Sequence, residues 1–210
     1  MCALNVKKSI RKGINRMLNP LKTLDMEWQE LKFGIEKAKH NYHTFIFSTI
    51  RNGKPESRTV VLRELNQNKP QIWFHTDIRS QKISEIERHK NVSALFYDKS
   101  RKIQLRINGV AYLESDKRTN VKIWNTMSSD SKLCYMSPYA PSQKIPRFTP
   151  NLIGKPTQEI NEKDDELGLS RFCRVKINID TIDWLRLDYQ GHQRLKFHFN
   201  KAIKFEWIAS

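Results

Sequence analysis

Residues 57–114 read SRTVVLRELNQNKPQIWFHTDIRSQKISEIERHKNVSALFYDKSRKIQLRINGVAYLE, and this stretch decides the fold. Glu56 to Leu65 holds Thr59, Val60, Val61 and Leu62 in a row, with Arg58 and Arg63 at either side. β-branched and apolar side chains pack well on a pleated surface, so the segment reads as a strand. Gln71 to Thr76, Val92 to Tyr97 and Lys102 to Glu114 read the same way. One segment breaks the pattern. Ser80 to His89 turns Ile83 and Ile86 inward on a short helix, with Ser80 suited to cap it.

The flanks extend this scheme. Tyr42 to Arg51 is a further strand, joined to Glu56–Leu65 through the turn Asn52-Gly53-Lys54-Pro55 as a hairpin. Before it, Thr23 to His40 follows a helical period, with Leu24, Trp28, Leu31 and Ile35 on one face. Met1 to Leu21 has five Lys or Arg and no acid, and reads as either a short basic helix or a loose arm. Residues 1 to about 40 thus form a basic helical extension. Downstream, Asp116 to Met127 looks helical, Ser137 to Pro156 is a long loop, and Asn161 to Asp165 is acidic and exposed. Phe172 to Leu187 is a long strand alternating at Val175, Ile177 and Ile179. After the turn Asp188–Gln193, Arg194–Phe199 and Ile203–Ile208 complete a meander. Six or more strands with only short helices between them predict a mainly β chain with peripheral helices. The expected architecture is a single domain built on an antiparallel β-barrel, whose closure removes exposed edges.

Composition narrows the partners. Apolar residues are 38% of the 210 and aromatics 10%, enough for a core. No apolar run approaches the length of a bilayer span, and the basic N-terminus lacks a signal peptide's apolar stretch. The chain is therefore expected to be soluble and cytoplasmic. Cys2, Cys134 and Cys173 are far apart and odd in number, which argues against a disulfide framework. No paired Cys or His spacing suggests zinc, so no metal site is expected. The net charge of +16 and pI near 9.9 point to an anionic partner: nucleic acid, an acidic membrane or a phosphorylated cofactor. The charge is dispersed, a pattern commoner for solubility than for a binding face.

The chemistry concentrates where the strand ending Trp73-Phe74-His75-Thr76 meets Arg79-Ser80-Gln81-Lys82. A helix N-terminus offers free backbone N–H groups and a positive dipole end. A lysine and a hydroxyl placed there make a phosphate cradle, to which Arg58 on a neighbouring strand can add a planar bidentate ligand. Farther on, the side-chain amide of Gln104, before Asn108-Gly109, can pair with the donor and acceptor edge of a flavin ring. Taken singly, each residue has an ordinary structural role. Arg58 and Arg63 suit surface ion pairs, Ser80 a helix cap, Trp184 a core, and His75 and His192 a structural or solvated position. The joint arrangement is what carries the site.

That ordered set resembles the FMN-binding split-barrel family of the pyridoxamine 5'-phosphate oxidase type, over about Tyr42 to Phe199. The family pattern is an Arg-x-Val-Leu-Leu-Lys strand, an aromatic-Thr strand end, Ser-Arg-Lys at a helix start and a Gln-x-x-x-x-Gly strand. The resemblance implies an FMN cofactor bound at a homodimer interface, with Arg58, Thr59, Val60, Val61, Leu62 and Arg63 lining the flavin and its phosphate. His75 and Thr76 would continue that wall, Ser80, Gln81 and Lys82 would stand at the phosphate, and Gln104 would contact the ring. From the partner subunit, Trp184 and Arg194 would approach the flavin, with Lys196 a weaker match.

Departures limit what transfers. Arg63 replaces the strand lysine and Gln81 the arginine of Ser-Arg-Lys. Where the oxidase grips substrate phosphate, its Tyr and Arg are replaced by Ile123 and Met127, and only Ser131 is kept. The expected function is an FMN-dependent oxidoreductase acting on an unidentified small molecule, with no residue marked as general base. The alternatives are a flavin reductase, a non-catalytic FMN-binding protein and, less favoured, a nucleic-acid-binding barrel. The last would need aromatics interleaved with Lys or Arg on one exposed sheet.

Overall fold

The computed structural model describes residues 18–114, 116–152 and 160–209. Residues 1–17, most of the segment read as a basic helix or arm, lie outside the described residues. Eight strands form one antiparallel sheet: β1 (Thr44–Arg51), β2 (Lys54–Asn66), β3 (Gln71–Asp77), β4 (Asn91–Asp98), β5 (Ile103–Glu114), β6 (Phe172–Arg186), β7 (Gln193–Phe199) and β8 (Ile203–Trp207). Their order is β3-β2-β1-β4-β5-β6-β7-β8, with β3 also paired to β6. Six strands therefore close a barrel, as the strand pattern predicted, and β7 and β8 continue outside it. The helices are α1 (Pro20–Glu36), α2 (Gln81–Arg88), α3 (Lys117–Thr126), α4 (Ser129–Leu133) and α5 (Glu162–Arg171).

The barrel closes on β6, which changes partners along its length. Phe172 to Asn178 pair with β3, whereas Thr181 to Arg186 pair with β7. β5 runs beside both halves, and its register shifts at the change: Asn108 faces Thr181 but Gly109 faces Ile179. Asp180 is thus a bulged residue, which bends the strand and raises its twist. The extra residue also reverses which side chains are buried, from Val175, Ile177 and Ile179 before it to Ile182 and Trp184 after it. A simple alternation cannot reveal that reversal. The backbones approach so closely here that a β-carbon on Gly109 would sit 2.0 Å from the Asn178 carbonyl oxygen.

Local signals account for most boundaries. Asn52 and Gly53 both have positive φ, 52° and 75°, and Arg51 pairs with Lys54, so the first hairpin has a two-residue turn, shorter than the four residues expected. Phe45, Phe47, Phe74 and Phe96 fill the barrel. Phe45 stacks on Phe96, and Phe47 tilts against Phe74, both at 4.7 Å between ring centroids. α1 starts at Pro20 behind the Asn19 cap and buries Leu24, Trp28 and Leu31. It also buries Glu27, which accepts hydrogen bonds from Trp184 Nε1 (3.0 Å), Tyr42 Oη (3.1 Å) and both terminal nitrogens of Arg101 (2.9 and 3.0 Å).

Two helices went unread. The acidic stretch read as merely exposed, Asn161–Asp165, opens α5, where Asn161 caps the helix and Asp165 accepts from Trp124 Nε1 (3.0 Å) and Lys132 Nζ (2.9 Å). Its composition hides it: α5 buries only Gly168, whose missing side chain makes room for the Trp124 ring. α4 is too short to show a period.

Gly109→Ala should force the two strands apart. We expect a loss of about 1–3 kcal/mol, the usual cost of overpacking, read as a lower urea midpoint. An unchanged midpoint would show that the close approach at the bulge is not needed.

Candidate functional site

The predicted residues assemble in two places. The first is the N-terminus of α2. Lys82 donates to the Thr76 hydroxyl (2.9 Å), and Thr76 and Ser80 share a 3.3 Å hydrogen bond. Arg58 donates to the Thr49 hydroxyl, to the Glu56 carbonyl (2.9 Å) and to Glu85 Oε2 (2.8 Å). Ser80 holds the N-cap position, but its side chain makes no cap bond. Asn19, Asp116, Ser128 and Asn161 each cap their own helices with a side-chain oxygen. Ser80 is therefore not the plain cap its position suggested, and the first amides of α2 are left without a side-chain acceptor. Burial, and then the positive charge of Arg58, hold the Lys82 ammonium below its ordinary pKa. An anion brought to this point would favour the charged ammonium against both effects.

Glu85 was missed in the sequence. It is 3% exposed, beneath Arg58 and within reach of Arg51 Nε (3.7 Å). An acid three residues after Lys82 lies on the same helix face, and that spacing was the available signal.

The remaining residues of β2 and β3 divide between two faces. Arg58, Val60 and Leu62 share the side of Phe45 and Phe47, while Thr59 and Arg63 are exposed and Val61 is half-buried. The run Arg58–Arg63 therefore does not form one wall. His75 lies on the opposite face of β3 from Thr76, its ring 4.9 Å from Phe172 and its Nε2 3.6 Å from Glu64. Burial lowers its pKa, against the pull of Glu64. Gln81 is exposed and its side-chain oxygen accepts from Arg51.

The second place is the outer face of β5, β6 and β7. Gln104, Arg106, Arg194 and Lys196 gather there around Asp183. Arg194 grips Asp183 with two hydrogen bonds (2.9 and 2.6 Å), Arg106 lies 3.7 Å away, and Lys196 is its partner in the β6–β7 register. Hydrogen bonding by Arg194 holds the Asp183 carboxyl below its usual pKa. Trp184 does not join this group. Its ring is 2% exposed in the core and its N–H is taken by Glu27, because the bulge at Asp180 turned it inward. Thr76 meets β6 at Cys173, whereas Asp183 and its partners lie about ten residues farther along β6, beyond the bulge and on the outer face, so one chain does not bring the two groups together. Trp73 and Tyr97 stand on β3 and β4, with two strands between them, and form no shared stacking platform.

Comparison with known proteins agrees with this geometry. Residues 25–115 match the family model described as pyridoxamine 5'-phosphate oxidase, FMN-binding domain. Pyridoxine/pyridoxamine 5'-phosphate oxidase 2 of Arabidopsis thaliana is 28% identical over 181 residues, which is 81% of this chain and 87% of the relative. A pyridoxamine 5'-phosphate oxidase-related, FMN-binding protein of Nostoc punctiforme PCC 73102 superposes with a TM-score of 0.68 at 21% identity, covering 92% of this chain and all of that one. PhzG of Burkholderia lata 383, in complex with tetrahydrophenazine-1-carboxylic acid, gives 0.65 at 14% identity, covering 93% and 95%. The split-barrel fold, the likeness to this family and its cofactor, FMN, are thus borne out. The residues fit the phosphate end of that cofactor: two cations, two hydroxyls and an uncapped helix start converge on one point.

The His75 environment generates a pH test. A histidine whose folded pKa is depressed binds its proton more readily when unfolded, so stability falls as pH drops below the unfolded value of about 6.5. The wild-type urea midpoint should therefore decrease between about pH 7.5 and pH 5 more steeply than that of His75→Gln. Parallel curves for the two proteins would remove His75 from the account.

Proposed function

We propose that this chain, a split barrel of the pyridoxamine 5'-phosphate oxidase type, is an FMN-dependent oxidoreductase acting on a small molecule, with each site built from two copies of the chain. The observation that carries the reading is the convergence of Arg58, Thr76, Ser80 and Lys82 at the start of α2. Such a set holds a phosphate dianion by charge-assisted hydrogen bonds and the helix dipole. When bound, FMN supplies hydride chemistry, and the protein supplies binding, orientation and electrostatics.

Assembly follows from the second group. Gln104 and Arg194 face outward, away from the phosphate cradle of their own chain. A two-fold dimer would let one copy's Gln104 and Arg194 reach the flavin held by the other. Ile46, Ile50 and Tyr97, exposed on the outer face of β1 and β4, supply apolar surface for such contact.

The substrate differs from that of the oxidase. Ile123 and Met127 pack against the cluster of Trp124, Leu133, Tyr135, Met136 and Phe172, and the Ser131 hydroxyl pairs with Ser128 at 3.0 Å. The positions that would grip a substrate phosphate are occupied by local structure. Pyridoxine phosphate should therefore be turned over poorly by fully flavin-loaded protein, in an assay of hydrogen peroxide release. Rapid turnover would reinstate the oxidase reaction itself.

Lys82→Ala tests the cofactor reading. A charge-assisted hydrogen bond contributes about 1.5–3 kcal/mol, so FMN affinity should fall roughly ten- to a hundred-fold while riboflavin affinity barely changes. Flavin fluorescence titration of the stripped protein measures both. A folded wild-type protein that ignores micromolar FMN would sink the proposal.

A further inference from the structure

Arg51 is the last residue of β1, on the far side of the first hairpin from Arg58. An arginine there reads as a hairpin strut, and it does pair with Glu56 across the turn: Nε donates to Glu56 Oε1 at 3.0 Å. Its guanidinium does more than that. One terminal nitrogen donates to the side-chain oxygen of Gln81, the first residue of α2, and Nε lies 3.7 Å from Glu85. Glu85 is the same buried carboxylate that accepts from Arg58 at 2.8 Å. Two arginines from different strands are thus anchored on one acid and held at the start of one helix.

The position explains a gap in the cradle. The family pattern has an arginine where this chain has Gln81, so a cation is missing from the first turn of α2. We infer that Arg51 supplies it, reaching the phosphate end of the cofactor from β1, with Gln81 and Glu85 as the side chains that aim it. The inference rests on the FMN reading above and adds a cofactor-binding residue to it. The charges are consistent: Arg51, Arg58 and Lys82 stand against Glu56 and Glu85, leaving one positive charge, to which the helix N-terminus adds. Arg51 keeps 36% of its side chain exposed and Arg58 23%, so both have a face open to a ligand. A guanidinium also offers donors beyond those its present partners use, in the planar fork that suits phosphate.

The test moves the charge rather than only removing it. Full-length protein stripped of flavin is titrated with FMN and with riboflavin, following flavin fluorescence, as wild type, Arg51→Ala and Arg51→Ala/Gln81→Arg. Arg51→Ala should weaken FMN by about ten-fold or more and leave riboflavin unchanged. The double variant, which returns an arginine to the helix start, should recover most of the FMN affinity. FMN affinity unaltered in Arg51→Ala would overturn the inference. So would an equal loss for both flavins, or a double variant no better than the single one, since either assigns Arg51 to the hairpin alone. A wild-type protein that binds no FMN would instead bring down the cofactor reading on which this rests.

Discussion

The structure depends on the contact between Gly109 and the Asn178–Ile179 backbone. The six-strand barrel closes where β6, already paired to β5, pairs along its other edge with β3, and the same edge then goes on to β7. A regular strand could not switch partners and keep one face buried throughout. The bulge at Asp180 resolves this by inserting one residue, and glycine on β5 lets the backbones meet where the insertion crowds them. Everything after the bulge is turned over. Asp183 faces outward to meet Arg194 and Arg106, and Trp184 faces inward to meet Glu27. The outer cationic group around Gln104 and the anchoring of α1 on the barrel both follow from that single shift of register.

Electrostatics at α2 obey a similar economy. Arg58, Lys82 and Arg51 would repel one another without a counter-charge, and an unpaired cation beside a hydrophobic core is costly. Glu85 answers both demands from inside the helix, and Thr49 adds a donor to it. The acid does not cancel the cations, because it is buried while both guanidiniums stay partly exposed. Lys82, whose pKa is lowered by burial and by Arg58, stays poised to gain from an incoming anion.

The sequence carried most of the fold because strand signals are local. Val60, Val61 and Leu62, the Asn52-Gly53 turn and the Ile83–Ile86 spacing each report on a few neighbours, and each element appeared where they pointed. What could not be read is non-local. The change of partner along β6 depends on a contact with β5 some seventy positions earlier in the chain, and it decided the fate of Trp184. Likewise α5, polar on almost every face, is a helix because Gly168 admits the Trp124 ring and Asp165 binds Trp124 and Lys132. At the site, Arg58, Ser80 and Lys82 were legible from residue type and order. Glu85 and Arg51 were not, since an acid on an amphipathic helix and a basic residue at a turn are ordinary until their partners are known.

Departures from the oxidase pattern fall at both ends of the proposed site: Arg63 and Gln81 at the cofactor positions, Ile123 and Met127 at the substrate positions. Arg58, Ser80 and Lys82 stand at the start of α2, whose first amides have no side-chain acceptor, although Gln81 occupies the place of the pattern's arginine. Ile123 and Met127 pack, half-buried, against a small core in which Trp124 meets Tyr135 and Phe172 at ring-centroid distances of 5.6 and 5.7 Å. An arginine in place of Met127 would give up that apolar packing, and any part of its guanidinium drawn against the cluster would be disfavoured. The start of α2 and the cluster around Trp124 are therefore under separate physical constraints. The first is a balance of Arg51, Arg58 and Lys82 against Glu85, and the second is apolar packing.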